Sequence, residues 1–202
     1  MKAEEKIYKV FYGSGKEWLY FTEIRNLTKL SNSSLQNALL KLLNSKKIEE
    51  DKQTSNVYYK ISNAEKPEIY NTLDKERLNK LNSNIKIPLK NFLKEIPSEL
   101  AFIILFGSSS RRQEKPDSDI DLLVVLHKFE DSQLQKLYEK EIKQKLEKLR
   151  KKVNSESNHP LNIVYINLDV FKTPKDHLIT QAKNYGFPIS GNLKYYKENE
   201  KN

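Results

Sequence analysis

Between Ala101 and Val125 the chain sets two apolar runs around a polar segment that starts with glycine and serine and closes on paired aspartates. The first run is Ala101 to Phe106, followed by Gly107 and Ser108. Asp119 and Asp121, with only Ile120 between them, open the second. Short apolar runs bounded by turn residues read as buried strands. Side chains at i and i+2 of a strand share a face, so both carboxylates point the same way at the edge of a buried sheet. Gly107 lets backbone approach a ligand without Cβ interference, and the N–H groups after it and the Ser108 hydroxyl can donate to a phosphate. Mg²⁺ takes oxygen ligands, usually one or two carboxylates completed by substrate phosphates and water. The pattern suits a divalent cation carrying a nucleoside triphosphate.

Gly107-Ser108, then Arg111, then Asp117-Ser118-Asp119-Ile120-Asp121-Leu122-Leu123-Val124 resembles the signature of the DNA polymerase β nucleotidyltransferase superfamily, particularly its minimal nucleotidyltransferases. The likeness extends in general layout over residues 88–195. It implies a small mixed sheet, Mg²⁺, and transfer of a nucleotidyl group from a nucleoside triphosphate such as ATP to an acceptor hydroxyl on a protein or RNA. On that resemblance Asp119 and Asp121 are the catalytic metal ligands. Gly107, Ser108, Ser109 and Arg111 are the nucleotide-binding residues. The chain departs from the family twice. Arg112 stands where minimal members commonly have glycine. On the later strand, Leu161 to Asn167, Asn162 occupies the expected place of a third carboxylate. An amide can ligate through its carbonyl oxygen but brings no negative charge and is no base at neutral pH. Asp169 could substitute, although its position after the strand reads better as a helix N-cap.

Residues 1–64 read as a separate unit. A helix over Glu4–Tyr12, a short extended piece at Glu17–Phe21, a helix capped by Thr22, and a helix opened by a Ser33/Gln36 capping box follow one another. Leu35, Leu39, Leu42 and Leu43 give the third helix its apolar stripe, and two strands, Lys47–Lys52 and Val57–Ser62, flank a polar turn. That order resembles a winged helix-turn-helix domain. The resemblance implies DNA binding, with Ser34, Gln36, Asn37 and Lys41 facing bases from the third helix and Lys52 and Lys60 meeting phosphates. The unit holds 11 Lys and Arg against 7 Asp and Glu, a net +4. The whole chain carries +9 with pI ≈ 9.4, a balance that favours an acidic partner.

The expected architecture is therefore α+β: a winged helix at 1–64, a helical connector at 65–87, a mixed-sheet transferase domain at 88–196 and a polar tail at 197–202. The connector is read as one helix from Pro67 to Asn84, with Pro88 closing the next loop and a second helix over Leu89–Glu95. A long helix over Gln133–Val153 shows a stripe of Leu134, Tyr138, Ile142, Leu146 and Leu149 beneath a lysine-rich outer face. His127 and His159 lack partners at metal-ligand spacing and read as surface residues. No cysteine is present, which excludes disulfides and thiolate metal sites. No segment approaches the ~20 apolar residues of a membrane span, so a cytoplasmic protein is expected. A dimer and a toxin-like protein partner complete the expectation. The competing reading is a decayed transferase fold serving a winged-helix DNA-binding regulator, with Asn162 as its main support.

Overall fold

The computed structural model describes residues 1–53 and 55–199. The chain divides into two compact units, Met1–Leu73 and Asp74–Asn202. In the first, α1 (Ala3–Ser14), β1 (Leu19–Tyr20), α2 (Phe21–Thr28), α3 (Asn32–Asn44), β2 (Ile48–Lys52) and β3 (Val57–Ile61) follow in turn. The strands form an antiparallel sheet in the order β1-β3-β2. Ile7, Phe11, Ile24, Leu35, Leu39 and Leu42 lie in its core, so the leucine spacing of α3 marks the inward face.

Two helix starts differ from expectation. Ser31, not Ser33, caps α3: its backbone is extended, and its Oγ accepts the Ser34 N–H at 3.2 Å. Thr22 lies inside the first turn of α2, where Glu23 reaches back to accept the Tyr20 N–H at 3.3 Å. In both cases an earlier extended residue takes the cap position, and the expected one is already helical.

The boundary between the units falls within α4 (Lys66–Asn79), and α5 (Ser83–Lys94) follows it. The single helix expected to Asn84 is thus interrupted after Asn79. Pro88 does not end a loop but sits buried in the second turn of α5. The carbonyl it leaves without a donor belongs to Asn84, in the exposed first turn, where water can serve instead.

Four strands follow: β4 (Phe102–Phe106), β5 (Ile120–Leu126), β6 (Leu161–Asn167) and β7 (Phe187–Ser190), in the sheet order β6-β5-β4-β7. β5 and β6 run parallel, and the other neighbours are antiparallel, giving a small mixed sheet. α7 (Ser132–Asn154) is the crossover between the parallel pair. Ile103 and Leu105 with Ile120, Leu122 and Val124 pack against Ile85, Leu89 and Phe92 of α5 and Ile142 and Leu146 of α7. On the opposite face, Phe102 meets Phe171 of α8 (Leu168–Lys172) and Tyr195 of α10 (Asn192–Asn199), at centroid separations of 4.9 and 5.4 Å. Cover on both faces explains why β4 and the body of β5 are apolar without alternation.

The inward stripe of α7 centres on Gln135 rather than Leu134, which is 51% exposed. Helical spacing back from Ile142 and Leu146 puts residue 135 nearer the middle of that face. The buried amide is well matched: Oε1 accepts the Phe129 N–H at 2.7 Å, and Nε2 donates to Glu139 at 2.8 Å. α9 (His177–Tyr185) precedes β7, and α10 continues to Asn199, past the expected start of the tail at Lys197. Tyr196 anchors it by donating to Asp74 at 2.9 Å. Residues 200–202 of the expected tail lie outside the described residues. Among the described residues no helix is long and apolar enough to cross a membrane.

Candidate active site

The sheet register decides which polar side chains meet. Antiparallel pairing places Phe106 opposite Asp121, and parallel pairing places Asp121 beside Asn162. Directly after Phe106 the chain bends at Gly107, φ +71°, into the short helix α6 (Gly107–Ser110). A Cβ on Gly107 would overlap Asp121 Oδ2 and stand 3.1 Å from its Cγ. Asn162 Nδ2 donates to Asp121 Oδ1 at 3.0 Å. Asp121 is thus held between the glycine bend on one side and an amide on the other. Burial raises its pKa, the nearby Asp119 charge adds to the rise, and the Asn162 bond opposes it. Asp119 itself is exposed, just before β5.

The remaining expected nucleotide-binding residues divide. Ser108 is half-buried at the bend, and its carbonyl accepts the Arg111 and Gln113 N–H groups at 3.1 and 3.0 Å. The Ser109 hydroxyl does not face open space: it is buried and donates to the Asp119 carbonyl at 3.3 Å. Arg111 is exposed, with Nε bound to Gln113 at 3.2 Å. Arg112 holds φ +59°, a left-handed backbone that glycine adopts without steric cost.

Asp169 is neither a third ligand nor the cap. It lies beyond the far end of β6, in α8, with about 17 Å of strand between Asn162 and Asn167 before the helix begins. Its carboxylate accepts the Val170 N–H at 2.9 Å, and Asn167 takes the cap position of α8. Among the described residues no three His, Cys, Asp or Glu side chains gather into a metal-holding group. The donors at this edge are two carboxylates and one amide.

Sequence reasoning missed two residues around the site. Arg77 donates to the Ser110 carbonyl at 3.1 Å and stacks over Phe187 at 4.2 Å, bracing α6. His159 is 3% exposed, not a surface residue. Its Nδ1 lies 2.8 Å from the Ser118 carbonyl and its Nε2 2.8 Å from Asn84 Nδ2. His127 is half-buried beside Lys194; burial first, then that ammonium, lowers its pKa. A cavity of about 600 Å³ lined by Asn82, Asn84, Glu114, Lys115, Pro116 and His159 does not include either aspartate.

In the N-terminal unit, Gln36 and Asn37 are exposed on α3 and Ser34 is half-buried. Lys41 and Lys52, both exposed, pair with Glu4 at 2.6 Å and Glu50 at 3.1 Å. Lys60 is turned inward against Trp18 and lies within ion-pair reach of Glu17 and Glu49, so it is not a free phosphate contact.

Residues 88–186 match the family model for the nucleotidyltransferase domain. No curated protein and no solved structure matches the chain. The matched stretch lies within the second unit, which is thus similar to a nucleotidyltransferase domain; such a domain implies a nucleoside triphosphate as substrate.

Proposed function

We propose that this domain transfers a nucleotidyl group from a Mg²⁺-bound nucleoside triphosphate, with ATP the first candidate, to a hydroxyl on a protein or an RNA. One observation carries the reading: Asp121 is seated against the Gly107 bend, and Asp119 is close enough to perturb it. The donor set fits Mg²⁺, which needs only one or two protein carboxylates when phosphates fill the rest of its shell. Asp119 and Asp121 would hold that ion, which when bound neutralises the triphosphate and aligns it for in-line displacement.

The chain's own contribution is positioning. Gly107 keeps the bend open to a phosphate. Asn162 engages Oδ1 of Asp121 and leaves Oδ2 toward the bend. Arg77 and Ser110 steady α6 from behind, with Ser110 Oγ donating to the Gly107 carbonyl at 2.9 Å. In the reaction the acceptor oxygen bonds to the α-phosphorus as pyrophosphate leaves, and the hydroxyl proton passes to solvent. Purified protein given Mg²⁺ and α-labelled nucleotides should label itself, a partner or RNA. Unchanged labelling in Asp119→Asn and Asp121→Asn would refute the proposal.

The N-terminal unit is read as a winged helix that tethers the transferase to DNA. The order α1-β1-α2-α3-β2-β3 and the β1-β3-β2 sheet support this reading. Gln36, Asn37 and Ser34 on α3 would face bases, while Lys41 and Lys52 would exchange carboxylate partners for phosphates. Site-specific binding with a steep salt slope is expected, and binding blind to sequence would remove this part. A cytoplasmic dimer acting on a toxin-like protein partner is the setting that the reading favours.

A second reading has its own observation. Asn162 turns its N–H toward Asp121, and among the described residues no third acid joins them in a metal-holding group. A decayed transferase fold could then bind Mg²⁺ and nucleotide without turnover, as part of a DNA-binding regulator. Pyrophosphate release separates the two. A large gain in turnover for Asn162→Asp would favour decay, and no change would favour a site adapted to asparagine.

A further inference from the structure

Asp119 is exposed, yet its main chain is gripped on both sides. Its own carbonyl accepts from the buried Ser109 hydroxyl at 3.3 Å. The preceding carbonyl, of Ser118, lies 2.8 Å from Nδ1 of the buried His159. The following N–H, of Ile120, donates to the Pro160 carbonyl at 2.9 Å, immediately after His159. A carbonyl can only accept, so Nδ1 of His159 carries the proton, and Nε2 accepts from Asn84 Nδ2 at 2.8 Å. Both ring nitrogens are therefore used, and the imidazole cannot rotate without losing two bonds. Its backbone is tied as well: His159 N–H donates to Ser157 Oγ at 3.1 Å, and that hydroxyl donates to the His159 carbonyl at 3.0 Å.

We infer that His159 is a positioning residue for the metal-ligating aspartate, acting through the Ser118 carbonyl to fix the direction in which Asp119 projects. The inference rests on the nucleotidyl-transfer reading above. His159 touches neither carboxylate; its ring is held by two separate segments, α5 and the loop before β5, while Ser157 ties its own loop. A solvent-exposed aspartate on an untied loop would spend most of its time turned away from its partner. Outer-shell groups that orient metal ligands commonly affect metal affinity by 10–100-fold, and a carbonyl held by a buried ring is an orienting contact of that kind.

Two substitutions of similar polarity separate this role from space filling. Asparagine places its Nδ2 near the position of the imidazole Nδ1, so His159→Asn keeps a donor for Ser118. Glutamine reaches toward the Nε2 position, so His159→Gln keeps a partner for Asn84 and loses Ser118. Mn²⁺ affinity is read by electron paramagnetic resonance with a nonhydrolysable ATP analogue, alongside melting temperature and labelling. The Gln variant is expected to bind Mn²⁺ about tenfold more weakly, with the Asn variant close to wild type. Equal affinity in the two, or the reverse order, overturns the inference, because a filler role favours the larger Gln. Should the Gln variant not fold, Asn84→Ala at an exposed position releases the ring instead. A smaller loss of Mn²⁺ affinity is expected there, and none would also overturn the inference. Wild-type protein that binds no Mn²⁺ in an Asp121-dependent way would sink the transfer reading and this inference together. Binding by wild type with no effect of His159→Gln would sink this inference alone.

Discussion

Replacing Gly107 by alanine tests the geometry of the site with one methyl group. Gly107 has φ +71°, and its new Cβ would collide with Asp121 Oδ2 and crowd Cγ at 3.1 Å and Cβ at 3.3 Å. Two penalties are expected. A left-handed backbone costs an L-residue about 1–2 kcal/mol. Relief of the collision turns the Asp121 carboxylate away and breaks its bond from Asn162, and hydrogen bonds to charged groups contribute about 1.5–3 kcal/mol. Gly15→Ala supplies the control, because Gly15 has φ +65° but nothing within 4 Å of its would-be Cβ. It should show the conformational cost alone. Urea unfolding of both variants, with unfolding of the mutated unit followed in each, should place Gly107→Ala roughly 1–3 kcal/mol below Gly15→Ala. Calorimetry with Mg²⁺ and a nonhydrolysable triphosphate should show binding lost in Gly107→Ala and kept in Gly15→Ala. Equal destabilisation with intact binding would mean that Asp121 does not lie against the bend, and the site described here would be wrong.

Asp121→Asn should abolish labelling yet raise the melting temperature at pH 7. Burial and Asp119 raise the pKa of Asp121, so its ionised form opposes folding; the gap should close as pH falls through the carboxylate range, and a variant less stable at pH 7 would contradict this. Glu139 is the opposite case, lowered to about 2 by donors on Gln135, Asn167 and Lys143, in that order apart from an opposing burial effect between the last two. Its contribution is present above the unfolded value near 4.5 and is lost as pH falls toward 2, so Glu139→Gln should cost on the order of 1–2 kcal/mol at pH 7 and nothing near pH 2, read by thermal melts across pH. Tyr196→Phe removes a donor to the buried Asp74 and should cost about 1–2 kcal/mol by urea unfolding, and a neutral result would show that α10 is not anchored there.

The residues legible in the sequence are those whose meaning is local. Asp119 and Asp121 declare themselves by spacing and by the apolar run they open, and Gly107 by following one. The strand carrying Asn162 is legible as an apolar run, whereas its parallel pairing beside Asp121 leaves no mark in residue spacing. His159 and Arg77 were opaque for a physical reason: each acts on a carbonyl, and carbonyls leave no mark in a sequence. His159 reaches a segment 41 positions away, and Arg77 one 33 positions away. The start of α3 is ambiguous in the sequence because Ser31 and Ser33 differ only in backbone conformation. Leu134 and Gln135 exchanged roles because a fully bonded amide can take a core position that apolar patterning assigns to leucine.

Asparagine and aspartate codons differ only in their first base. The contact between Asn162 and Asp121 therefore sits one point mutation away from a triad of acids, on a strand already in register to receive it. That mutation would exchange a neutral clasp for repulsion in the metal-free protein, while offering a cation a deeper seat. A lineage carrying this fold could thus gain or lose a negative charge at this strand position in a single step, without any change in its framework.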